Sequence, residues 1–246
     1  MTLPPFISVR GLEKSFRGRP ILRGVDLEVH EGETLVVLGG SGEGKSVILR
    51  HLNGLIRPDR GEVTVAGRKL NDLGEDELGE IRLKVAMVFQ LGALFDSLTV
   101  YENISYPLRE HMTMSEAEMR SRVAELLAMV ELRNTEGLHP SELSGGMRKR
   151  VALARAIAIE PKAVLYDEPT TGLDPITTDK ISRLIRDLQQ RLGFTSVVVT
   201  HDLKSAFIVG DRFALLDQGR IRFTGTAAEA RASSDELMQD FLKAAL

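Results

Sequence analysis

Gly39-Gly40-Ser41-Gly42-Glu43-Gly44-Lys45-Ser46 fits the spacing G-x-x-x-x-G-K-[ST], and no other stretch constrains the fold as tightly. A triphosphate needs several donors converging on it. Backbone N–H groups supply them only where the chain curls closely around the phosphates, and glycines permit that curl. Lys45 adds a mobile positive charge, and the Ser46 hydroxyl is a candidate Mg²⁺ ligand. The flanks agree. Thr34–Leu38 is an apolar, β-branched run that reads as a buried strand, and residues 46–52 read as a helix whose N-terminus faces the phosphate. Strands and helices also alternate through the second half of the chain, which argues for a parallel sheet.

The 246 residues suffice for one α/β domain with a subdomain. A net charge of −3 gives no electrostatic footprint for nucleic acid. Without cysteine there is no disulfide, thiolate chemistry or sulfur-built zinc site. Met1-Thr2-Leu3-Pro4-Pro5-Phe6 lacks the basic and apolar regions of a signal peptide, and no apolar run approaches the ~20 residues of a membrane span. Any membrane role is expected to come through a partner.

Along the chain, Ile7–Arg10 and Val25–Val29 alternate and read as strands of an opening sheet, apolar in and polar out. Phe16 lies between them, either stacked on a nucleobase or packed as an ordinary core ring. Glu62–Val65 reads as a strand, residues 71–84 as including a short helix, and Val85–Phe89 as a strand ending at Gln90. Ligand contacts gather at such strand ends, although a glutamine there is also an ordinary loop residue. Residues 91–112 are unusual: Leu91–Val100 shows no clear helical or strand period, reading as a loop with tucked leucines or as an exposed apolar patch. Ser115 with Glu118 fits a capping box, and Val123, Leu126, Leu127 and Val130 form one stripe of a helix ending near Leu132. Leu143-Ser144-Gly145-Gly146-Met147 precedes a helix over 148–159. Ala163–Glu168 is a strand ending in two carboxylates. Asp167 suits support of Mg²⁺ and Glu168 suits accepting a proton from water. A turn at 170–175, a helix over 176–192 and a strand over Thr195–Thr200 ending at His201 follow. The tail predicts strands at 212–217 and 220–223, then helical residues 226–246.

The order of these features resembles the ATP-binding cassette (ABC) ATPases over almost the whole chain. Leu143–Gly146 is the most specific of them. The resemblance implies an α/β P-loop NTPase fold with a parallel core sheet, an antiparallel N-terminal β subdomain and an inserted α-helical subdomain. It implies one cassette: core 1–90 and 160–225, helical part 91–159, tail 226–246. By position, Phe16 is similar to the adenine-stacking aromatic. Gly39, Gly40, Ser41, Gly42, Glu43, Gly44, Lys45, Ser46 and the adjoining Val47 hold ATP. Ser46, Gln90 and Asp167 are the implied Mg²⁺ residues. Ser144, Gly145 and Gly146 resemble the signature that contacts γ-phosphate on the opposite subunit. Asp174 resembles the D-loop aspartate, Glu168 the catalytic base and His201 the switch histidine. Met147 departs from the usual glutamine.

A narrower likeness lies in Gly92–Asn103, in Leu143–Met147 and in Thr200–Phe207, which together look like the ATPase subunit of Mla/Mce-type phospholipid transporters. That resemblance implies a second copy of the chain, an integral permease, an Mce-domain protein and a STAS-domain subunit as partners. It implies no nucleic acid, and a place on the cytoplasmic face of the inner membrane. Leu94 and Phe95 are the expected permease anchors. The runner-up is an ABC ATPase for another cargo, such as an amino acid, or one with no membrane partner. In the tail, Leu237, Met238, Phe241 and Leu242 share one face, to dock either on their own domain or on a neighbouring subunit.

Overall fold

The computed structural model describes residues 4–244. Met1–Leu3, and Ala245 and Leu246 of the expected tail helix, lie outside the described residues. The opening alternation becomes two long strands, β1 (Ile7–Phe16) and β2 (Arg19–Val29), paired antiparallel. β3 (Thr34–Leu38) is buried on every residue, as a strand covered on both faces must be. It leads through the glycine loop into α1 (Lys45–Leu52). β4 (Arg60–Val65) and the short β5 (Arg68–Lys69) complete a four-stranded antiparallel sheet in the order β2-β1-β4-β5. α2 (Glu75–Lys84) then feeds β6 (Val85–Val88).

α3 (Val100–His111) occupies most of residues 91–112, where the sequence reading singles out no helix. Only 91–99 is a loop. Thr99 caps the helix, with its side chain and that of Glu102 bonding reciprocally. Fully buried Asn103 pins the loop: its amide donates to the carbonyls of Phe95, Leu98 and Thr99, and its oxygen accepts from the Phe95 N–H. α4 (Glu116–Met129) starts at the expected Ser115 cap and buries Val123, Leu126 and Leu127. α5 (Gly145–Ile157) begins earlier than its periodicity suggests, because Ser144 caps it and both signature glycines are helical.

The second half alternates as expected. β7 (Ala163–Asp167), α6 (Pro175–Leu192), β8 (Thr195–Thr200), α7 (Leu203–Val209), β9 (Arg212–Asp217) and β10 (Arg220–Thr226) follow in turn. The main sheet has the order β10-β9-β3-β8-β7-β6. All of its pairings are parallel except the edge pair β9/β10. This order places the C-terminal ends of β3, β8, β7 and β6 side by side. Gly39, His201, Glu168 and Gln90 follow those ends and so arrive together.

α8 (Ala227–Ala232) and α9 (Glu236–Ala244) close the chain. Met238 is fully buried, and Leu237, Phe241 and Leu242 pack against the same core. Asp235 caps α9 by accepting from the Met238 N–H at 3.1 Å. The tail's apolar stripe is therefore covered by its own domain, not held open for a neighbouring subunit.

Candidate active site

The glycine loop is drawn tightly against β2. Gly44 has φ +103°, and a Cβ there would sit 2.9 Å from side-chain atoms of Ile21 and Leu22, so only glycine fits. Lys45 opens α1 and is 6% exposed. Its Nζ donates to the carbonyls of Gly39 and Gly40 at 2.9 and 3.0 Å and lies 3.3 Å from Glu168 Oε1. Those carbonyls are the described contribution of Gly39 and Gly40. Glu43 turns its side chain away, accepting from the Gln218 N–H between β9 and β10.

Glu168 follows β7 with φ +47°, a region that costs a non-glycine residue energy and that is concentrated at functional sites. Its N–H donates to Val199 O at 3.0 Å, which fixes the strained turn against β8. The carboxylate is almost buried and has three neighbours. Lys45 lies beside Oε1, His201 Nδ1 is 2.9 Å from Oε2, and the Thr171 hydroxyl donates to Oε2 at 3.2 Å. A carboxylate so held keeps one orientation toward the space above the loop.

That space is a cavity of about 500 Å³. Ser41, Gly42, Gly44, Lys45, Ser46 and Val47 form its floor. Gln90, Glu168, His201 and Phe16 line it as well. Phe16 is 43% exposed, so it is not a core ring; Lys14 Nζ lies 5.7 Å from its centroid. Ile21 and Thr171 also line the cavity and were not anticipated. Thr171 had one faint signal, its place three residues after Glu168 in a turn. Ile21 had none, since its role depends on how β2 packs against the loop.

Ser46 Oγ donates to Asp167 Oδ1 at 2.6 Å. A hydroxyl and a carboxylate presented together are the hard oxygen donors that Mg²⁺ takes. Among the described residues no cluster of three His, Asp or Glu could hold a metal. Phosphate and water would have to complete the shell, which is the usual arrangement for Mg²⁺ bound with a nucleotide.

Gly39, Gly40, Glu43 and Asp167 adjoin this cavity through the contacts above without lining it, and four further expected residues, Ser144, Gly145, Gly146 and Asp174, do not line it either. Ser144 accepts from the Met147 N–H at 3.2 Å to cap α5, where Gly145 and Gly146 form the first turn. Asp174 caps α6, accepting from Ile176 and Thr177 N–H at 3.0 Å each.

The ABC transporter family matches over residues 22–171. "Probable ribonucleotide transport ATP-binding protein mkl" of Mycobacterium tuberculosis is 42% identical over 96% of this chain and 66% of the relative. The chain thus spans about two thirds of that relative's length. "Intermembrane phospholipid transport system ATP-binding protein MlaF" of Escherichia coli is 38% identical over 96% of this chain and 88% of the relative. Among solved structures, a dimeric ATP-binding cassette bound to ADP and Pi in a post-hydrolysis state superposes with a TM-score of 0.83. It is 38% identical and covers 89% of this chain and 98% of its own.

Proposed function

This chain is an ATPase cassette of the ABC transporter family, and from that premise we propose that it closes on ATP as a two-fold dimer to drive a membrane permease, with phospholipid as cargo. The observation that carries the hydrolytic part is the single carboxylate of Glu168, held by Lys45, His201 and Thr171 at the cavity wall. Glu168 accepts the proton of the attacking water. His201 and Thr171 keep its oxygens aimed, and Lys45 Nζ exchanges the Gly39 and Gly40 carbonyls for phosphate oxygens. Phe16 stacks on the base. Ser46, Asp167 and Gln90 hold Mg²⁺, which supplies neutralisation of phosphate charge when bound.

Ser144, Gly145, Gly146 and Asp174 act on a second copy's nucleotide, in keeping with their absence from the lining of their own chain's cavity. A two-fold interface completes both sites at once. In this reading residues 1–90 and 160–225 are the nucleotide core, 91–159 the helical part and 226–246 the tail.

The permease face is the apolar surface beside Gln90. Leu91 is 89% exposed, and Phe95 and Tyr106 are 45% exposed each, with ring centroids 5.1 Å apart. Leu94, expected as an anchor, is instead half-buried against the core, and Leu91 takes its place. No described helix is long and apolar enough to cross a membrane, so the permease supplies the attachment to the inner membrane's cytoplasmic face.

For the cargo, support comes from the phospholipid relative and from Gly92–Asn103; Mce-domain and STAS-domain subunits follow from the same likeness. Purification from native membranes, with mass spectrometry of co-purified subunits and lipids, tests it. A permease and an Mce-domain protein carrying phospholipid support the reading. Partners for an amino acid or another cargo refute it.

A further inference from the structure

Helix α5 carries two cations that the chemistry above does not use. Lys149 is 7% exposed and Arg155 is half-buried. Among the described residues neither meets a carboxylate within ion-pair distance, whereas Arg150 of the same helix reaches Glu131 at 2.6 Å. Burial pushes the Lys149 ammonium down from its ordinary value, with Glu168 and Asp167 pulling it partly back. A charge buried without a counter-ion is costly unless its donors are well used. Both side chains use theirs on carbonyls two residues apart in one loop. Lys149 Nζ donates to the Gln90 carbonyl, and Arg155 Nη2 donates to the Gly92 carbonyl at 2.8 Å.

Gly92 lies against the same helix face. Its φ is +80°, and a Cβ there would touch that of Ala152 at 3.4 Å. The Gly92 N–H closes the turn on Phe89 O at 2.8 Å. Residues 90–92 therefore run across α5 over Lys149, Ala152 and Arg155. Three separate elements meet on this one rod. Gln90 lines the nucleotide cavity, Leu91 projects into solvent, and Ser144-Gly145-Gly146 form the rod's N-terminal end.

We propose that Lys149 and Arg155 are positioning residues that lock residues 90–92 to the signature helix, so that Gln90, Leu91 and Ser144–Gly146 move as one body. The inference rests on the preceding reading of the site. A push on Leu91 is then delivered both to the chain's own cavity, through Gln90, and to the partner's, through the signature. Charged donors suit this task because a charge-assisted bond to a carbonyl is stronger and more directional than apolar contact.

The test combines amide exchange with a double-mutant cycle on the full chain. In Lys149→Met and Arg155→Met, exchange at Gln90–Gly92 should quicken while β7 and β8 keep their protection. MgATP turnover at saturation should fall about 10-fold, the loss typical of removing a supporting partner. ATP affinity should hold, and Lys149→Arg should restore turnover. Because Lys149 acts through Gln90, Lys149→Met should cost almost nothing further in a Gln90→Ala background. Unchanged exchange at 90–92 overturns the lock. An additive loss in the double variant overturns the coupling and leaves Lys149 merely structural. If Lys149→Met does not fold, Arg155→Lys gives the same readouts. A wild-type chain without MgATP turnover refutes the hydrolytic reading instead, and the exchange arm still decides the lock.

Discussion

Met238→Ala should loosen the C-terminal helix on its own domain. α9 has nine residues, too few to be stable alone in water, so docking must hold it. The dock is specific. Met238 is fully buried, Asp235 caps the helix while Arg222 holds its other oxygen at 2.9 Å, and Gln239 Nε2 donates to Ser233 O at 2.6 Å. Truncating a buried methionine to alanine costs roughly 2–5 kcal/mol in a closed core. A terminal helix can lift away instead of enclosing a void, so the lower end applies. At about 2 kcal/mol the undocked population rises about 30-fold. Amide exchange across 236–244 in the nucleotide-free chain reads this directly. Faster exchange confined to α8 and α9 is expected. Unchanged exchange would refute the docking argument. So would a wild-type helix that gains protection only when MgATP drives dimerisation, since the stripe would then belong across the subunit interface.

Lys45→Ala should weaken ATP binding and turnover together, because in the proposed reading Lys45 meets phosphate oxygens in both ground and transition states. A lost charge-assisted bond of about 1.5–3 kcal/mol raises Kd roughly 10- to 100-fold, and an unchanged titration counts against the assignment. Phe95→Ala should leave a folded, ATP-binding chain that no longer co-purifies fully with its permease; full recovery of the complex sinks that contact. His51 should make stability pH-dependent. Burial holds its imidazole below the ordinary value. As pH falls below about 6.5 the unfolded chain takes up the proton first, and stability drops, by at most about 1.4 kcal/mol at pH 5.5. Urea titrations at pH 7.5 and 5.5 should show a smaller difference in His51→Leu; an equal difference excludes His51 as the source.

The strand and helix around the glycine loop were legible because local pattern and tertiary role coincide there. β3 is apolar throughout since it is covered on both faces, and α1 starts where the loop must present its N–H groups. α3 was missed because Pro107 and scattered apolar residues blur its period; Thr99 with Glu102, a capping box, was the available signal. The exposure of Leu91 and the burial of Leu94 depend on the path of the loop that Asn103 ties down, and alternation cannot reveal that path. Ile21 and Thr171 reach the cavity only after distant segments fold together. Lys149 and Arg155 carry no signal of their own in the sequence, because their carbonyl partners come from residues 90–92, which cross the helix only in the folded chain. The docking of the tail had two readings because an apolar stripe says that something covers it, not what.

The central claim is that two copies close on ATP and that Glu168 then activates water. Glu168→Gln keeps the shape of the side chain and removes the base. Sedimentation of this variant with MgATP, alongside its turnover, tests the claim most directly. Hydrolysis should fall about 10²-fold or more, and the variant should sediment as a stable dimer retaining ATP. A variant that turns over at the wild-type rate, or that binds MgATP and remains a monomer, would contradict it.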